Sequence, residues 1–251
     1  MPKLFVISDV HGFYNEMKKA LDDAGFDPSN ENHHLISLGD TIDRGLYVLK
    51  VLEYLYNLPR KTLCFGNHEE LFFKLCNRGY SYIHDISNGT ADTVRQIGYG
   101  DEFAEMCRYA LARTKPIFDT FVDYFETKNY IFLHSFLPLI NKDGLSAYYT
   151  KDRDFEFDPD WRNASKQDWL DSRWGNPFAL AAQGLNQTGK TIVFGHWATE
   201  HKWAEVEGRK EFDANAKFDI YYGDGIIGID ACTAYSKKCN VLVLEDEFLD
   251  Q

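Results

Sequence analysis

Three short apolar runs, residues 4–7, 35–38 and 62–65, are each followed by a helical pattern, and this repeat constrains the fold more than any other feature of the chain. Residues 13–24 carry the first helical pattern, with Gly25 as its stop. Leu46, Val48, Leu49, Val51, Leu52 and Leu55 carry the second, closed by Pro59, and Leu71, Phe72 and Leu75 mark the third. A β-α-β-α-β-α opening third predicts parallel strand pairing with right-handed crossovers. The 251 residues suit one large α/β domain with ample chain for a core.

Residues 78–120 change character: Gly79, Gly89, Gly98 and Gly100 separate helical patches at 93–97 and 102–111, which read as a helical insert capping the scaffold. Residues 121–125 and 129–133 read as a hairpin, and 191–194 as a further strand. Between them, residues 141–176 form a polar, aromatic stretch without periodicity, the kind of long loop that often rims a site. Residues 178–185 read as a helix. The last quarter reads as short strands and turns, with strands at 217–222, 226–229 and 240–244.

Five of these strands, ending near Ile7, Leu38, Phe65, Leu133 and Phe194, hand over within about three residues to a metal-type side chain. The residues delivered are Asp9 and His11, Asp40, Asn67, His134 and His196. Ligands of α/β sheets gather at strand C-terminal ends, so these loops can converge on one site. Oxygen donors mixed with imidazole suit Mn, Fe, Zn or Co better than calcium or a structural zinc. Six candidates exceed what one open metal needs and fit two metals sharing a carboxylate, with Asp40 as the natural bridge. Within Gly39-Asp40-Thr41-Ile42-Asp43-Arg44-Gly45, two carboxylates and an arginine share a glycine-bounded turn. Like charges there repel unless a cation sits among them, and the Arg44 guanidinium offers a fork for an anion.

Lys and Arg number 27 against 39 Asp and Glu, a formal charge of -12, which repels a long nucleic-acid backbone but leaves room for a small anion held by arginines and metal. The five cysteines are odd in number and form no C-x-x-C pair, which favours reduced thiols in a cytoplasm. No apolar run approaches the roughly 20 residues that span a bilayer, and the first residues run straight into a strand rather than a signal peptide.

Asp9-x-His11, Gly39-Asp40-x-x-Asp43-Arg44-Gly45, Gly66-Asn67-His68-Glu69, His134 and Gly195-His196 together resemble the signature of calcineurin-like metallophosphoesterases. The Asp43-Arg44-Gly45 ending and Glu69 resemble the phosphoprotein phosphatase branch, especially its small bacterial and phage serine/threonine phosphatases. The resemblance implies a four-layer α-β-β-α sandwich with a dinuclear site at the sheet edge. One metal would take Asp9, His11 and Asp40, and the other Asp40, Asn67, His134 and His196; Mn is the first expectation, with Fe or Zn as alternatives. It also implies in-line attack by a bridging water without a covalent phosphoenzyme, Arg44 and Asn67 on the phosphate, and His68 as general acid oriented by Asp43. A second phosphate arginine is expected from the central loop, where Arg173 matches better than Arg153 or Arg162.

After His134 and His196 stand Ser135-Phe136 and Trp197, where relatives carry small residues. With Tyr148 and Tyr149, these predict an aromatic mouth suited to a flat leaving group. The leading expectation is a phosphomonoesterase acting on phosphoproteins or small phosphoesters. The alternatives are a nucleotide hydrolase, such as a dinucleoside polyphosphatase or a nucleic-acid end phosphatase, and a scaffold without chemistry.

Overall fold

The computed structural model describes residues 2–142 and 154–249. Its first third is the expected alternation: β1 (Lys3–Ile7), α1 (Tyr14–Asp23), β2 (His33–Ser37), α2 (Val48–Asn57), β3 (Lys61–Cys64) and α3 (Asn67–Arg78). Next come α4 (Ile83–Ser87), α5 (Thr90–Ile97) and α6 (Phe103–Phe118), then β4 (Phe121–Val122), β5 (Tyr124–Glu126), β6 (Tyr130–Leu133), β7 (Leu139–Asn141) and β8 (Phe155–Phe157). The remainder is α7 (Lys166–Ser172), α8 (Pro177–Ala182), β9 (Thr191–Phe194), α9 (Thr199–Glu207), β10 (Tyr221–Gly223), β11 (Ile226–Gly228), α10 (Thr233–Ser236) and β12 (Leu242–Glu245).

Two five-stranded sheets carry the fold, in the orders β12-β1-β2-β3-β4 and β10-β11-β9-β6-β5. Strands β1 to β4 pair in parallel, with Phe5 opposite Leu35 and Val6 opposite Ile36, and β12 closes the edge antiparallel to β1. In the second sheet β11, β9 and β6 are parallel, flanked by antiparallel β10 and β5.

Side-chain parity sorts the layers. Leu4, Val6, Ile36 and Leu38 of the first sheet pack against Phe132, Val193 and Ile227 of the second. Phe5, Ile7, Leu35 and Leu63 point the other way, onto α1, α2, α3, α5 and α6. Ile131, Leu133, Ile192 and Phe194 face Trp169, Phe178 and Leu180 of α7 and α8. The result is helix, sheet, sheet, helix, and strands buried on both faces explain why the runs read as continuously apolar. Each fully buried Leu, Ile or Phe contributes roughly 1.5–3 kcal/mol.

The helices follow their local signals. Val48, Val51, Leu52 and Leu55 give α2 one buried stripe, and Leu58, extended ahead of Pro59, ends it. Among the described residues no helix is long and apolar enough to cross a membrane.

Four expectations need correction. Residues 121–133 do not form one hairpin: Phe121–Val122 joins β3, and the chain then crosses at Asp123 so that β5 pairs with β6 in the other sheet. Helices α5 and α6 are not a cap over the sheet; Val94, Ile97, Cys107 and Ala110 join the core shared with α2 and α3. Helix α9 replaces an expected turn, because it buries only Thr199, Glu200 and Ala204 and so shows no apolar stripe. Part of the unpatterned stretch 141–176 is ordered structure, β8 and α7. Tyr148, Tyr149 and Arg153 lie outside the described residues.

Candidate metal centre

The loops after β1, β2, β3, β6 and β9 meet at one edge of the sandwich, and the first two are tied together by their backbones. His11 N–H donates to Asp40 O at 2.9 Å, Gly12 N–H to Thr41 O at 3.0 Å and Gly45 N–H to His11 O at 2.7 Å. The approach is so close that a Cβ on Gly45 would lie 2.3 Å from His11 O, and one on Gly66 would lie 2.2 Å from Asp40 Oδ1. Asp9, His11, Asp40, Asp43, Arg44 and His196 all adopt positive φ, between 44° and 71°. Such backbone costs a non-glycine residue of order 1 kcal/mol and persists only where its surroundings over-determine it.

Glu69 supplies much of that determination. Fully buried at the first turn of α3, it accepts the N–H groups of Gly66 (2.8 Å), Asp40 (3.0 Å) and Thr41 (2.8 Å) and the Thr41 hydroxyl (2.7 Å). One carboxylate thus clamps the β2 loop to the start of the helix that carries Asn67 and His68. Burial and the neighbouring Asp40 nonetheless push its carboxyl upward, against those hydrogen bonds.

Two groups of donor atoms form here, each within 4.8 Å: His11, Asp40 and His68, and Asp40, His134 and His196. Asp40 belongs to both. Its burial alone would raise its carboxyl, but His134, His68 and His11 around it and the His68 N–H at 2.9 Å hold it well below the carboxylate range. Burial, joined by His68 and Arg44, pushes His11 well below the usual imidazole value. Burial likewise lowers His134, and burial with His134 brings His196 down to about 3. All three imidazoles are therefore neutral near pH 7, the form that binds metal.

His11 spends its Nδ1–H on Ile42 O at 2.9 Å, and His134 spends its own on Leu38 O at 2.8 Å, so both aim an Nε2 lone pair inward. His134 Nε2 lies 2.8 Å from Asn67 Oδ1, and His196 Nδ1 lies 3.0 Å from the same oxygen. Two acceptors facing each other call for a cation between them. His196 Nε2 is buried without a hydrogen-bond partner among the described residues. Asp9 lies beside these groups rather than in either, its Oδ2 accepting Ser8 Oγ–H at 2.5 Å and His196 N–H at 2.9 Å. Burial, Asp230 and Asp40 push Asp9 well above its ordinary value, and burial with Asp40 holds Asp230 at about 6. Buried carboxylates that repel one another, inward lone pairs and a mixed oxygen and nitrogen donor set fit divalent transition metals.

At the mouth, His68 donates Nδ1–H to Asp43 Oδ2 at 2.6 Å, and the exposed Arg44 places Nη1 3.0 Å from His11 Nε2 and Nη2 3.0 Å from His68 Nε2. Burial opposes charge on His68, but Asp40 and Asp43 outweigh it and raise the imidazole above its ordinary value. Asp43, fully buried, also accepts the hydroxyls of Thr90 (2.6 Å) and Thr93 (2.7 Å) from α5, and its own N–H donates to Thr93 Oγ1 at 3.0 Å. Thr90 and Thr93 escaped the sequence because nothing local links them to a turn 47 and 50 residues away. Glu69 stood within the Gly66-Asn67-His68-Glu69 motif, Ser8 next to Asp9 and Asp230 in no motif, and only the burial of their carboxylate or hydroxyl groups reveals what they hold.

Arg173 is not drawn into the cluster. Its guanidinium pairs with Asp123 and lies 5.1 Å from the Phe65 ring centroid, near enough to His134 to depress it. Phe136 is not part of a mouth either; it is buried in the core under the second sheet. Trp197 packs between His196 at 6.0 Å and His201 at 5.6 Å, ring centre to ring centre, while the Trp174 ring centre lies 6.4 Å from that of His196 and its Nε1–H donates to Glu70 at 3.0 Å.

A symmetrical bis(5'-nucleosyl)-tetraphosphatase of Aromatoleum aromaticum is 25% identical over 218 residues, 86% of this chain and 72% of the relative. The enzyme of the same name from Pseudomonas fluorescens is 24% identical over 86% of this chain and 70% of the relative. In fold the chain is similar to a cold-active protein-tyrosine phosphatase of a psychrophilic Shewanella, with a TM-score of 0.54 at 19% identity over 98% of this chain and 76% of that one. The model of the calcineurin-like phosphoesterases matches residues 2–224, from the first strand past the last of the candidate ligands, and the chain belongs to that family.

Proposed function

We propose that this phosphoesterase uses two divalent cations to hydrolyse the phosphoanhydride chain of a dinucleoside polyphosphate, such as diadenosine tetraphosphate. The observation that carries the metal-dependent chemistry is the pair of donor groups sharing Asp40 beneath Arg44 and the Asp43–His68 pair. The choice of substrate rests on the curated relatives, which are named for nucleotide substrates. It reverses the order expected from the motifs, where phosphomonoesters led.

Asp9, His11 and Asp40 would hold one cation, and Asp40, Asn67, His134 and His196 the other, with Mn favoured and Fe or Zn next. When bound, the pair supplies charge that activates water and steadies the phosphoryl oxygens. Arg44, exposed at the mouth with a planar fork, grips the non-bridging oxygens. Asn67 helps to seat the phosphate from the start of α3. Arg173 offers a second guanidinium from the side of Phe65. His68, kept protonated by Asp40 and Asp43, donates from Nε2 to the departing oxygen, and Asp43 fixes its tautomer and aim.

A second reading, removal of phosphate from serine, threonine or tyrosine in proteins, is favoured by one observation: the Asp43-Arg44-Gly45 and Asn67-His68-Glu69 sequences look like those of phosphoprotein phosphatases. Assay of the Mn-loaded protein on diadenosine tetraphosphate beside a phosphopeptide separates the two. The nucleotide reading expects a kcat/KM at least tenfold higher on the dinucleotide, with symmetrical cleavage into two nucleoside diphosphates. A preference for the phosphopeptide overturns it.

A further inference from the structure

Beside the metal centre lies a groove of about 1350 Å³ that the motifs leave unexplained. Helix α3 joins the two: it begins at Asn67, and Glu70, Phe73, Lys74 and Asn77, one stripe of the same helix, line the groove. Ten residues of helix carry it about 15 Å away from the cluster. At the near end Arg173 is 7% exposed, and its Nε is buried without a hydrogen-bond partner among the described residues.

The lining is cationic in a chain of net charge -12. Its three acids are already matched, Glu70 by Lys74, Asp119 by Lys115 at 2.6 Å and Asp123 by Arg173. Arg162 pairs with Glu126. Arg108 and Lys166, both exposed, have no carboxylate partner among the described residues. Flat rings alternate with these charges: Phe73 against Phe118 at 5.2 Å, and Tyr124 stacked on Trp169 at 5.1 Å and 9°. Two unmatched cations thus lie between apolar ring faces beside the candidate metal centre, and that is the complement of a phosphate chain ending in a base.

We infer that this groove holds the departing nucleoside diphosphate half of the substrate, Arg173 taking a phosphate near the cluster and Arg108 and Lys166 the charge farther out. The inference rests on the nucleotide reading above and adds the place where the second nucleoside sits. Because both outer cations are exposed, their reversal spares the core, and a glutamate at residue 166 suits the first turn of α7.

The test is Arg108→Glu/Lys166→Glu in the Mn-loaded protein, assayed on diadenosine tetraphosphate, p-nitrophenyl phosphate and a phosphopeptide, with ADP as competitor. The expected result is a ratio of kcat/KM, dinucleotide over p-nitrophenyl phosphate, at least tenfold below that of the unaltered protein, carried mainly by KM. If the unaltered protein cleaves the dinucleotide and the ratio stays within twofold, the groove assignment falls while the nucleotide reading stands. If the unaltered protein does not cleave the dinucleotide, that reading falls and ADP decides the groove: inhibition weakened tenfold in the variant supports it, and equal inhibition overturns it. A loss confined to the phosphopeptide gives the groove to peptides and overturns the inference.

Discussion

The His68 imidazole and the Asp43 carboxylate are 2.6 Å apart, both buried, where the strand-end loops meet helix α5. Charge on His68 is favoured by this contact and by Asp40. Replacing His68 by Asn removes the proposed proton donor and leaves the proposed ligands Asp9, His11, Asp40, Asn67, His134 and His196 in place. Turnover of an alkyl phosphate should fall by about 10²–10⁴-fold, and turnover of p-nitrophenyl phosphate, whose leaving group needs little protonation, by much less. Metal content measured on the same samples should stay unchanged; parallel loss of metal would make His68 a ligand instead.

Thr90 and Thr93 hold Asp43 from a distant helix, which makes them positioning residues. Thr93→Val removes a donor to Asp43 Oδ1 and the acceptor of Asp43 N–H. The cost should be about 1–3 kcal/mol in unfolding free energy, together with a roughly tenfold lower kcat at unchanged KM. Thr93→Ser keeps the hydroxyl and should restore kcat. Failure of serine to restore it would mean that the methyl packing, not the hydrogen bond, matters.

Glu69 is the clamp between the β2 loop and α3. Glu69→Ala strands the N–H groups of Gly66, Asp40 and Thr41 in a buried site. About 3–5 kcal/mol of stability should be lost, read as a lower urea midpoint, and metal affinity should fall with it because Asp40 is no longer held. A midpoint within experimental error of the unaltered protein would contradict the clamp.

These contacts mark where sequence reading stops. The βαβαβα opening and the handovers to Asp9, Asp40 and Asn67 were legible because a strand buried on both faces is apolar throughout and its chemistry begins abruptly at its end. The crossing at Asp123 was not, because Phe121–Val122 and Tyr124–Glu126 share one apolar pattern and only pairing partners tell the two sheets apart. Arg173 was expected on the phosphate, and its ion pair with Asp123, which links positions 50 apart, was not legible in the sequence. Helix α9 turns a polar residue, Glu200, inward to meet Arg209, which erases the periodicity that would have announced it.

His34, near the start of the central strand β2 of the first sheet, offers a pH test away from the candidate metal centre. It lies 2.9 Å from Thr62 Oγ1 and stacks on Phe125 at 5.9 Å; burial, with Arg60 nearby, depresses it to about 4. Between its unfolded value near 6.5 and about 4, the unfolded chain binds a proton that the folded chain does not. Its contribution is therefore full above pH 6.5 and is lost as the pH falls through that window, by no more than about 3 kcal/mol. The His34 ring resonances should show no protonation until about pH 4; a midpoint near 6.5 would place the ring in water.

The central claim is that two cations sharing Asp40 perform the hydrolysis. Metal-stripped protein should leave diadenosine tetraphosphate intact, regain turnover with added Mn at two ions per chain, and lose it again in Asp40→Asn. Full turnover by the stripped protein, or by Asp40→Asn at normal metal content, would contradict the account.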